Sequence, residues 1–512
     1  MPARRTALKH LVAVGGSGLS ALVAGPARAQ TPASTQVAPP PPPPLPPPAA
    51  ARPEISAEDA QRDLRILKRA LTELHPGLLR YTRLAQIDAD FAAANAAAAN
   101  GSSRAQMVVL ASRLSASLHC GHTWVSPYNQ RQEVVDRVFN RTDKLPLTLR
   151  WVAGRALVTG SAAAQVAAGS EVLAIDGRPV ADIRDALLPL LRADGLHEGA
   201  RLKRLSQLDS GPNGDAMDRL FPLLFPPLPC SQGGRYTLTL HERGGIGPRD
   251  VNVLAMTTIE RDRTLPAPGT AWSFRIQGDT GILTLPTFSF WRSDFKPEAF
   301  LQQTFDALRG VPFLVIDQRR NEGGDDAIGR ALLSHLLRAP LQLPATRVES
   351  AYERVPYVLA RYLDTWDFGF FDRTGQVTKG PGRNWLLPDR PGVRIDPAPV
   401  PYAGRTVMLV GPQNSSAGFI QARDVQRSGA ATLLGQPTGG NLRGLNGGQL
   451  CWINLPASGV GVDIPLVAAF TPGDPPDAGV LPDVAVPPLW ADAVAGVDTE
   501  MQAALKWVAG WR

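Results

Sequence analysis

The strongest constraint on the fold of this 512-residue chain is a regular alternation of predicted strands and helices in its C-terminal half. Short apolar runs that are typical of buried strands alternate there with segments whose apolar residues recur at helical spacing. The predicted strands cover residues 281–285, 313–317, 407–411 and 431–434, and the predicted helices cover residues 297–308, 326–337 and 417–427. Such alternation indicates βαβ units and a mainly parallel sheet. We therefore expect an α/β core over residues 270–490.

Two of these strands end in turns that contain candidate reactive groups, at the sheet edge where α/β proteins place their working groups. The first turn, residues 317–324, reads Asp-Gln-Arg-Arg-Asn-Glu-Gly-Gly, and its glycines allow a ligand to approach backbone N–H groups. The second turn, residues 411–418, reads Gly-Pro-Gln-Asn-Ser-Ser-Ala-Gly. Two explanations fit Ser416 at a helix start. It is either an N-cap that binds a free backbone N–H, or a nucleophile whose developing charge lies near the positive helix end.

The first 29 residues are predicted to form an export signal. They contain four basic residues and no acidic one, an apolar stretch near residues 11–24, and the small-x-small sequence Ala27-Arg28-Ala29. The pair Arg4-Arg5 resembles a twin-arginine signal, and an ordinary secretory signal with two arginines is the alternative. We therefore expect a bacterial protein exported to the periplasm or secreted.

Charge and hydropathy exclude several classes of function. The formal charge is +7, but the first 29 residues account for four of the 53 basic residues, which leaves 49 against 46 acidic ones. No basic stripe of the kind that binds nucleic acid is present. No apolar run reaches the roughly 20 residues that a membrane-spanning helix needs. The sequence therefore predicts neither a nucleic-acid partner nor an integral membrane span, and it leaves the oligomeric state open.

Four further segments are predicted outside the core. Residues 30–53 contain runs of proline and are expected to form an extended linker. Residues 54–130 contain leucines at helical spacing and are expected to form an N-terminal helical domain. Residues 145–260 contain short strand patterns and look like a PDZ-type domain with either a peptide-capturing or an architectural role. Residues 491–512 are expected to form a C-terminal helix.

Cysteine usage predicts neither a disulfide scaffold nor a metal centre. Cys120, Cys230 and Cys451 are the only cysteines, and either three free thiols or one disulfide fits that number. His119 and His122 flank Cys120 in a His-Cys-x-His sequence, which lacks the second ligand pair that a zinc site requires. We therefore expect no metal and no cofactor.

Taken in order, the motifs resemble those of the S41 family of serine peptidases, which includes the carboxyl-terminal processing proteases, the tricorn core and the interphotoreceptor retinoid-binding protein. The shared order is a helical domain, Gly-His-Thr at 121–123, a PDZ-like insert, Asp-x-Arg-x-Asn-x-Gly-Gly at 317–324 and Ser-Ala at 416–417. The resemblance covers nearly all of residues 55–490. It implies a ClpP/crotonase-like α/β core of βαβ units with an N-terminal helical domain and a PDZ-like β-rich insert. It also implies hydrolysis of peptide bonds in a peptide or protein substrate.

The resemblance assigns the groups around the scissile bond residue by residue. Ser416 falls on the family nucleophile. The N–H of Ala417 and the backbone of Gly323 and Gly324 fall on the positions that form the oxyanion hole. These groups are therefore expected to stabilise the tetrahedral intermediate of acyl transfer.

The general base cannot follow the pattern of the processing proteases, because their lysine position is occupied by Asn441 in the sequence Gly-Gln-Pro-Thr-Gly-Gly-Asn. Only six lysines follow the signal, and none lies between Ser416 and Lys506. A histidine base, as in the tricorn core, is implied instead, and it falls on His122, whose ordinary pKa suits proton transfer near neutrality. The alternative for His122 is a structural histidine.

The remaining site residues have open assignments. Asp477 falls where the tricorn core has a catalytic glutamate, and a loop carboxylate that caps a turn is the alternative. Cys120 occupies the position of the family's usual aspartate before Gly-His-Thr. The glycine-rich loop 438–448 is expected to face the substrate through Asn441 and Arg443.

Two functions of different classes follow from these residues. The first is an exported serine peptidase that acts through an acyl-enzyme intermediate, with Ser416 and His122 as the reacting pair. The second is a catalytically inactive S41-like protein that binds peptides or lipophilic ligands on the same scaffold.

Overall fold

A computed structural model describes residues 53–206, 216–380 and 382–510 of the chain. The predicted export signal and all but the last residue of the predicted linker, residues 30–53, lie outside the described residues. None of the described helices combines the length and the apolar character that crossing a membrane requires.

The N-terminal unit is helical, and its chain leads into the turn that contains His122. Its helices are Ala57–Leu74, Leu84–Ala97 and Arg104–Ala116, followed by a short helix Gln132–Val134 and a π-helical turn Val135–Phe139. The Oγ atom of Ser56 accepts a hydrogen bond from the Asp59 N–H (3.1 Å) and caps the first helix. The leucines whose spacing predicts this helix are buried in the unit's core.

A β-rich unit follows, built on an antiparallel seven-stranded sheet. Its strands are β1 (Leu147–Val152), β2 (Arg155–Ser161), β3 (Glu171–Ile175), β4 (Arg178–Pro179), β5 (Leu228–Cys230), β6 (Gly233–His241) and β7 (Pro248–Leu254). Their order is β1-β2-β3-β6-β5, with β4 paired to β3 and β7 to β6. Asp176 and Gly177 connect β3 to β4 with φ values of 48° and 71°, as a tight hairpin turn requires.

Short helices complete this unit. They are Val180–Leu187, Glu198–Arg204, Ala216–Arg219, Phe221–Leu224 and Thr258–Thr264, with a 3₁₀ turn at Leu188–Leu190. The first of these helices runs directly into the 3₁₀ turn.

The core is a six-stranded sheet of strands β8 (Ser273–Gln277), β9 (Thr280–Thr284), β10 (Phe313–Asp317), β17 (Arg405–Val410), β18 (Thr432–Gly435) and β22 (Val484–Ala485). Their order in the sheet is β22-β18-β17-β10-β9-β8. All neighbouring pairs are parallel except β8 with β9, so the predicted alternation produces the expected parallel sheet. Helices Pro297–Ala307, Asp326–Leu336 and Ser416–Ser428 connect the strands and bury their apolar faces on one side of the sheet.

The other side of the sheet is covered by the C-terminal segment. Two helices are present, Trp490–Ala495 and Thr499–Ala509, where a single helix over 491–512 was expected. They are separated at Gly496, whose φ of 72° ends the first helix in a left-handed conformation. Ala504 and Val508 of the second helix pack against the apolar face of β10 and β17.

Smaller elements close the structure around the core. They are β11 (Leu341–Gln342), β12 (Arg347–Ser350), β13 (Leu363–Asp364), β14 (Thr378–Lys379), β15 (Trp385–Leu386), β16 (Arg394–Ile395), β19 (Leu450–Asn454), β20 (Gly461–Pro465), β21 (Ala468–Phe470), helix Tyr357–Ala360 and a 3₁₀ turn Phe368–Phe371. Strands β19 and β20 share one hydrophobic cluster with the N-terminal helices. This packing holds the His122 turn near the core. All three cysteines are free thiols.

Candidate active site

The site lies where two adjacent parallel strands end. Strands β10 and β17 are paired from Phe313 to Asp317, so the turns that follow them emerge side by side. We call residues 318–325 the first turn and residues 411–415 the second turn. The buried side chain of Asn414 joins them, because its Nδ2 atom donates to the carbonyl of Gln318 (2.6 Å) and to that of Asn321 (3.1 Å).

Ser416 is the first residue of helix Ser416–Ser428, and its φ is +48°, a left-handed conformation that a residue with a side chain seldom adopts. Ser415 occupies the N-cap position, but its hydroxyl donates to the carbonyl of Glu322 (3.1 Å) and no side chain caps the helix. The N-cap interpretation therefore does not describe the Ser416 side chain. Strained backbone at a strand-to-helix turn is the geometry that presents a nucleophile.

Two of the predicted oxyanion donors are available. The N–H groups of Ala417 and Gly324 donate to no other group within residues 53–206, 216–380 and 382–510. The N–H of Gly323 instead donates to Oδ1 of Asn321 at 2.8 Å. Gly323 is thus occupied as a donor, and the pair suited to an oxyanion is Ala417 with Gly324.

Gly323 has a different role at this position, because its backbone passes directly against Ser416, the candidate nucleophile. A Cβ atom on Gly323 would lie 2.7 Å from the nitrogen of Ala417 and 3.0 Å from Cβ of Ser416. On Gly324 it would lie 2.2 Å from the carbonyl of Phe288. Their φ values, 110° and 139°, also favour glycine. Glycine at residue 323 therefore allows the first turn to approach Ser416 this closely, and glycine at residue 324 allows it to pass the backbone of Phe288.

His122 lies in the turn after helix Arg104–Ala116 and lines the same cleft as Ser416. Gly447 faces the ring, because a Cβ atom there would lie 3.2 Å from both Cε1 and Nε2 of His122. No hydrogen bond joins His122 to Ser416 in the part of the chain that the structure describes. Burial lowers the pKa of His122, an effect that Asp194 opposes and Arg192 reinforces. The ring is therefore kept in the neutral form that a general base needs.

Asp194, which the sequence did not indicate, lies beside His122. Its Oδ1 atom accepts a hydrogen bond from the Gly121 N–H at 2.8 Å. Both its Oδ2 atom and the Nδ1 atom of His122 are buried without a hydrogen-bond partner among the described residues. Asp194 is also the strongest charge that raises the pKa of His122. It is thus a carboxylate next to the proposed base, with an acceptor atom and a donor site both unused.

The other predicted site residues lie behind this carboxylate and outside the cleft lining. Asn441 donates through Nδ2 to Oδ1 of Asp477 (2.6 Å) and to the carbonyl of Asp194 (3.4 Å). Its Oδ1 atom accepts from the N–H of Arg443 (3.0 Å). Asp477 has no hydrogen bond to His122 within the described ranges. Only the later part of the glycine-rich loop, residues 444–448, contributes to the cleft.

The cleft has a volume of about 780 Å³ and is rich in charge. Its charged lining comprises seven arginines and four carboxylates: Arg192, Arg292, Arg320, Arg330, Arg390, Arg423, Arg427, Glu322, Asp326, Asp424 and Asp463. Burial raises the pKa of Asp463 to about 7, although the amide of Asn129 donates to it. Among the described residues, no group of three or more histidine, cysteine or carboxylate side chains is placed to hold a metal ion.

Comparison with known proteins shows the fold and a family match over part of the chain. The structure is similar to that of mature CPAF complexed with lactacystin, with 18% sequence identity over 88% of this chain and 97% of that chain and a TM-score of 0.60. It also matches the photosystem II D1 C-terminal processing protease, with 16% identity over 87% of this chain and 96% of that chain and a TM-score of 0.40. No curated protein sequence matches the chain.

The CPAF likeness confirms the predicted α/β fold. Residues 279–486 match the family model described as Peptidase family S41. These residues contain both turns, Ser416 and all the candidate oxyanion donors. This match to a serine peptidase family supports a protease function in general. The resemblance to peptidase family S41 that the ordered motifs indicate is confirmed by the family model over residues 279–486.

Proposed function

We propose that this chain is an exported serine peptidase that hydrolyses peptide bonds through an acyl-enzyme intermediate, with Ser416 as nucleophile and His122 as general base. One observation carries the proposal: Ser416 stands at positive φ beside the unoccupied N–H groups of Ala417 and Gly324, in a cleft that it shares with His122. Export to the periplasm or beyond is inferred from residues 1–29.

The chemistry follows the order of acyl transfer. Nε2 of His122 takes the proton of Ser416 as Oγ attacks the peptide carbonyl, and the resulting oxyanion accepts hydrogen bonds from Ala417 and Gly324. The carbon–nitrogen bond then breaks, and His122 gives its proton to the leaving amine. Water, activated by the same ring, attacks the acyl-enzyme and releases the carboxylic acid. An approach of the two side chains on substrate binding is required, since catalytic hydrogen bonds often form only in the complex.

Asp194 is the group that we propose orients His122 in this mechanism. Its unused Oδ2 atom is suited to accept Nδ1–H of the imidazole, which would leave Nε2 as the acceptor that faces Ser416. Asn441 and Asp477 support Asp194 from behind through the amide that contacts both residues. Asp477, predicted as the third catalytic residue, is therefore proposed to act one step further from the reaction.

The lining of the cleft supports histidine rather than lysine as the base. No lysine of the described residues lines it. Asn441, in the place of the family lysine, is fully buried and engaged by Asp477. An amide does not titrate and cannot take the proton of Ser416.

Labelling with a fluorophosphonate probe tests the proposal. Wild-type protein is expected to label, and Ser416→Ala is expected not to. His122→Ala should label at least about 10²-fold more slowly, because it lacks the general base. Ser415→Ala is the matched control, since the adjacent hydroxyl only contacts the carbonyl of Glu322. If the wild type does not label, or if Ser416→Ala labels equally, the proposed mechanism is wrong.

The rival function is a catalytically inactive S41-like protein that binds peptides or lipophilic ligands. The absence of a hydrogen bond between Ser416 and His122 in the described structure favours it. A folded wild-type protein that binds peptides in the cleft but fails to label under all pH conditions would establish this rival.

A further inference from the structure

We propose that the cleft contains a carboxylate-binding subsite formed by Arg330, Arg390 and Arg423, so that the protein prefers peptides with an acidic group near the reacting bond. This inference rests on the proposed peptidase function, because it gives that same cleft a class of substrate.

The three arginines come from three different elements that meet beside the catalytic groups. Arg423 is on helix Ser416–Ser428 and lies seven residues after Ser416, which corresponds to about 10 Å along the helix axis. Arg330 is on helix Asp326–Leu336, which packs against helix Ser416–Ser428. Arg390 lies on the loop before β16, and all three line the cleft.

Arg390 is also tied to the His122 side of the cleft. Its Nη2 atom lies 3.1 Å from the position that a Cβ atom on Gly448 would occupy, and the neighbouring Gly447 faces the ring of His122. Gly447 and Gly448 therefore place the imidazole and the guanidinium on either side of two consecutive residues in one cleft. A peptide bound in the cleft beside His122 would have the Arg390 guanidinium close by.

The positive charge of this cluster is only partly neutralised by the protein. The side chains of Arg330 and Arg390 make no hydrogen bond or ion pair within the described residues, and the Arg423 side chain donates only through Nε, to Asp424 (2.9 Å). Asp326 is the carboxylate that all three influence, and one carboxylate cannot satisfy three guanidinium groups. Fork-shaped donor groups therefore remain available at the cleft surface.

Arginine clusters of this kind select planar anions. A guanidinium binds a carboxylate through two parallel N–H···O bonds, with more geometric specificity than a lysine provides. An extended peptide advances about 3.4 Å per residue, so a 10 Å separation corresponds to about three residues from the reacting bond. The carboxylate has two sources in a peptide, an Asp or Glu side chain or the free C-terminus, and the experiment distinguishes them.

The test measures peptide binding to the Ser416→Ala variant, so that no cleavage interferes. The probe is a fluorescein-labelled decapeptide of Ala, Ser and Gly with three central Glu residues, read by fluorescence anisotropy. Matched peptides have three Gln or three Lys residues, all with an amidated C-terminus, and a further Gln peptide has a free C-terminus. We expect the Glu peptide or the free-carboxylate peptide to bind at least about fivefold more tightly than amidated Gln.

The variants separate a defined subsite from general attraction to a positive cleft. Arg330→Gln/Arg390→Gln should abolish the preference, whereas Arg330→Lys/Arg390→Lys should retain part of it because the charges remain. Arg292→Gln is the matched control, since Arg292 is exposed in the same cleft and lies outside the cluster. It should retain most of the preference.

Three results would overturn the inference. The first is equal binding of all peptides, or no measurable binding of any. The second is tighter binding of the Lys peptide. The third is an equal loss of the carboxylate preference in Arg292→Gln and in Arg330→Gln/Arg390→Gln. The peptidase proposal fails independently, through absent fluorophosphonate labelling of the wild type. A carboxylate preference without labelling would therefore retain the subsite and reject the chemistry, and labelling without a preference would do the reverse.

Discussion

The two turns at the edge of the core sheet have similar sequences of small and polar residues, but they use their polar groups in different ways. In the first turn Asn321 accepts from the N–H of Gly323 (2.8 Å) and donates to the carbonyl of Leu285 (3.0 Å). In the second turn Asn414 accepts from the N–H of Gly411 (2.9 Å). The Ser416 hydroxyl and the Ala417 N–H, which directly follow the second turn, have no hydrogen-bond partner in the described structure.

The difference teaches how a strained, reactive backbone is kept in place. Asn321 ties the first turn both to itself and to Leu285, so this turn serves as a rigid frame around the free N–H of Gly324. The second turn is fastened to that frame through Asn414, which bonds to two of its carbonyl groups. Groups that are unpartnered and strained persist only where the surrounding structure determines them. Substitutions of Gly323 in the first turn, of Asn414 between the turns and of Asp194 beside His122 test this interpretation.

The largest effect is expected from Gly323→Ala, which places a methyl group between the two turns. The new Cβ would lie 2.7 Å from the Ala417 nitrogen, so the frame or the oxyanion donor must move. Loss of one oxyanion donor costs about 10²-fold or more in rate. The rate of fluorophosphonate labelling should fall by at least that factor.

Gly278→Ala is the control for this substitution. Gly278 also has a positive φ, 61°, but no atom lies within 4 Å of a Cβ built there. Both variants therefore introduce the same methyl group in a left-handed conformation, and only one has a steric conflict. Comparable loss of labelling in the two would show that backbone strain, and not contact with Ser416, determines the effect.

The link between the two turns is tested by Asn414→Ala. The substitution removes three hydrogen bonds from a buried site, so the free energy of unfolding should fall by about 2–3 kcal/mol, as urea denaturation would measure. Asn95→Ala, which removes a single half-buried bond to the carbonyl of Phe91, should cost about 1 kcal/mol or less. Equal losses would mean that the second turn is held by the sheet alone.

Much of the core was predictable from the sequence because its strands are buried on both faces. The strand predicted at 313–317 has those bounds, and the helix predicted at 326–337 ends one residue earlier. Continuous apolar runs and helical spacing report burial directly, and both turns follow from where those patterns stop. The C-terminal helix was expected to be continuous because the left-handed conformation of Gly496 has no counterpart in the apolar pattern.

The details of the site depend on tertiary contacts that no local pattern reports. The sequence predicts Gly323 as an oxyanion donor, but its N–H already donates to the Asn321 side chain, and no sequence pattern indicates that contact. Asp194 belongs to the β-rich unit and is 73 residues from Gly121, the residue whose N–H it accepts. An Asp-Gly pair in a loop has many ordinary explanations, so only the fold indicates that it lies beside His122.

The carboxylate that is proposed to orient His122 is tested by comparing Asp194→Asn with Asp477→Asn. An amide at residue 194 can no longer accept the Nδ1 proton with a negative charge, and labelling should slow by about tenfold or more. Asp477 contacts only the supporting amide of Asn441, so its variant should slow labelling less. The reverse order, with Asp477→Asn more damaging, would restore Asp477 as the residue that orients the base.

The smallest predicted effect is a shift in the pH dependence of labelling. Burial lowers the pKa of His122 below its ordinary value of 6.5, so more than half of the rings are neutral at that pH. Labelling rates measured between pH 4 and 9 at constant ionic strength should therefore show an acidic limb whose midpoint lies below pH 6.5. Asp194 raises this pKa, so Asp194→Asn should move the acidic limb to still lower pH. An inflection above pH 6.5, or an upward shift in Asp194→Asn, would mean that the group that titrates is not a buried His122 beside Asp194.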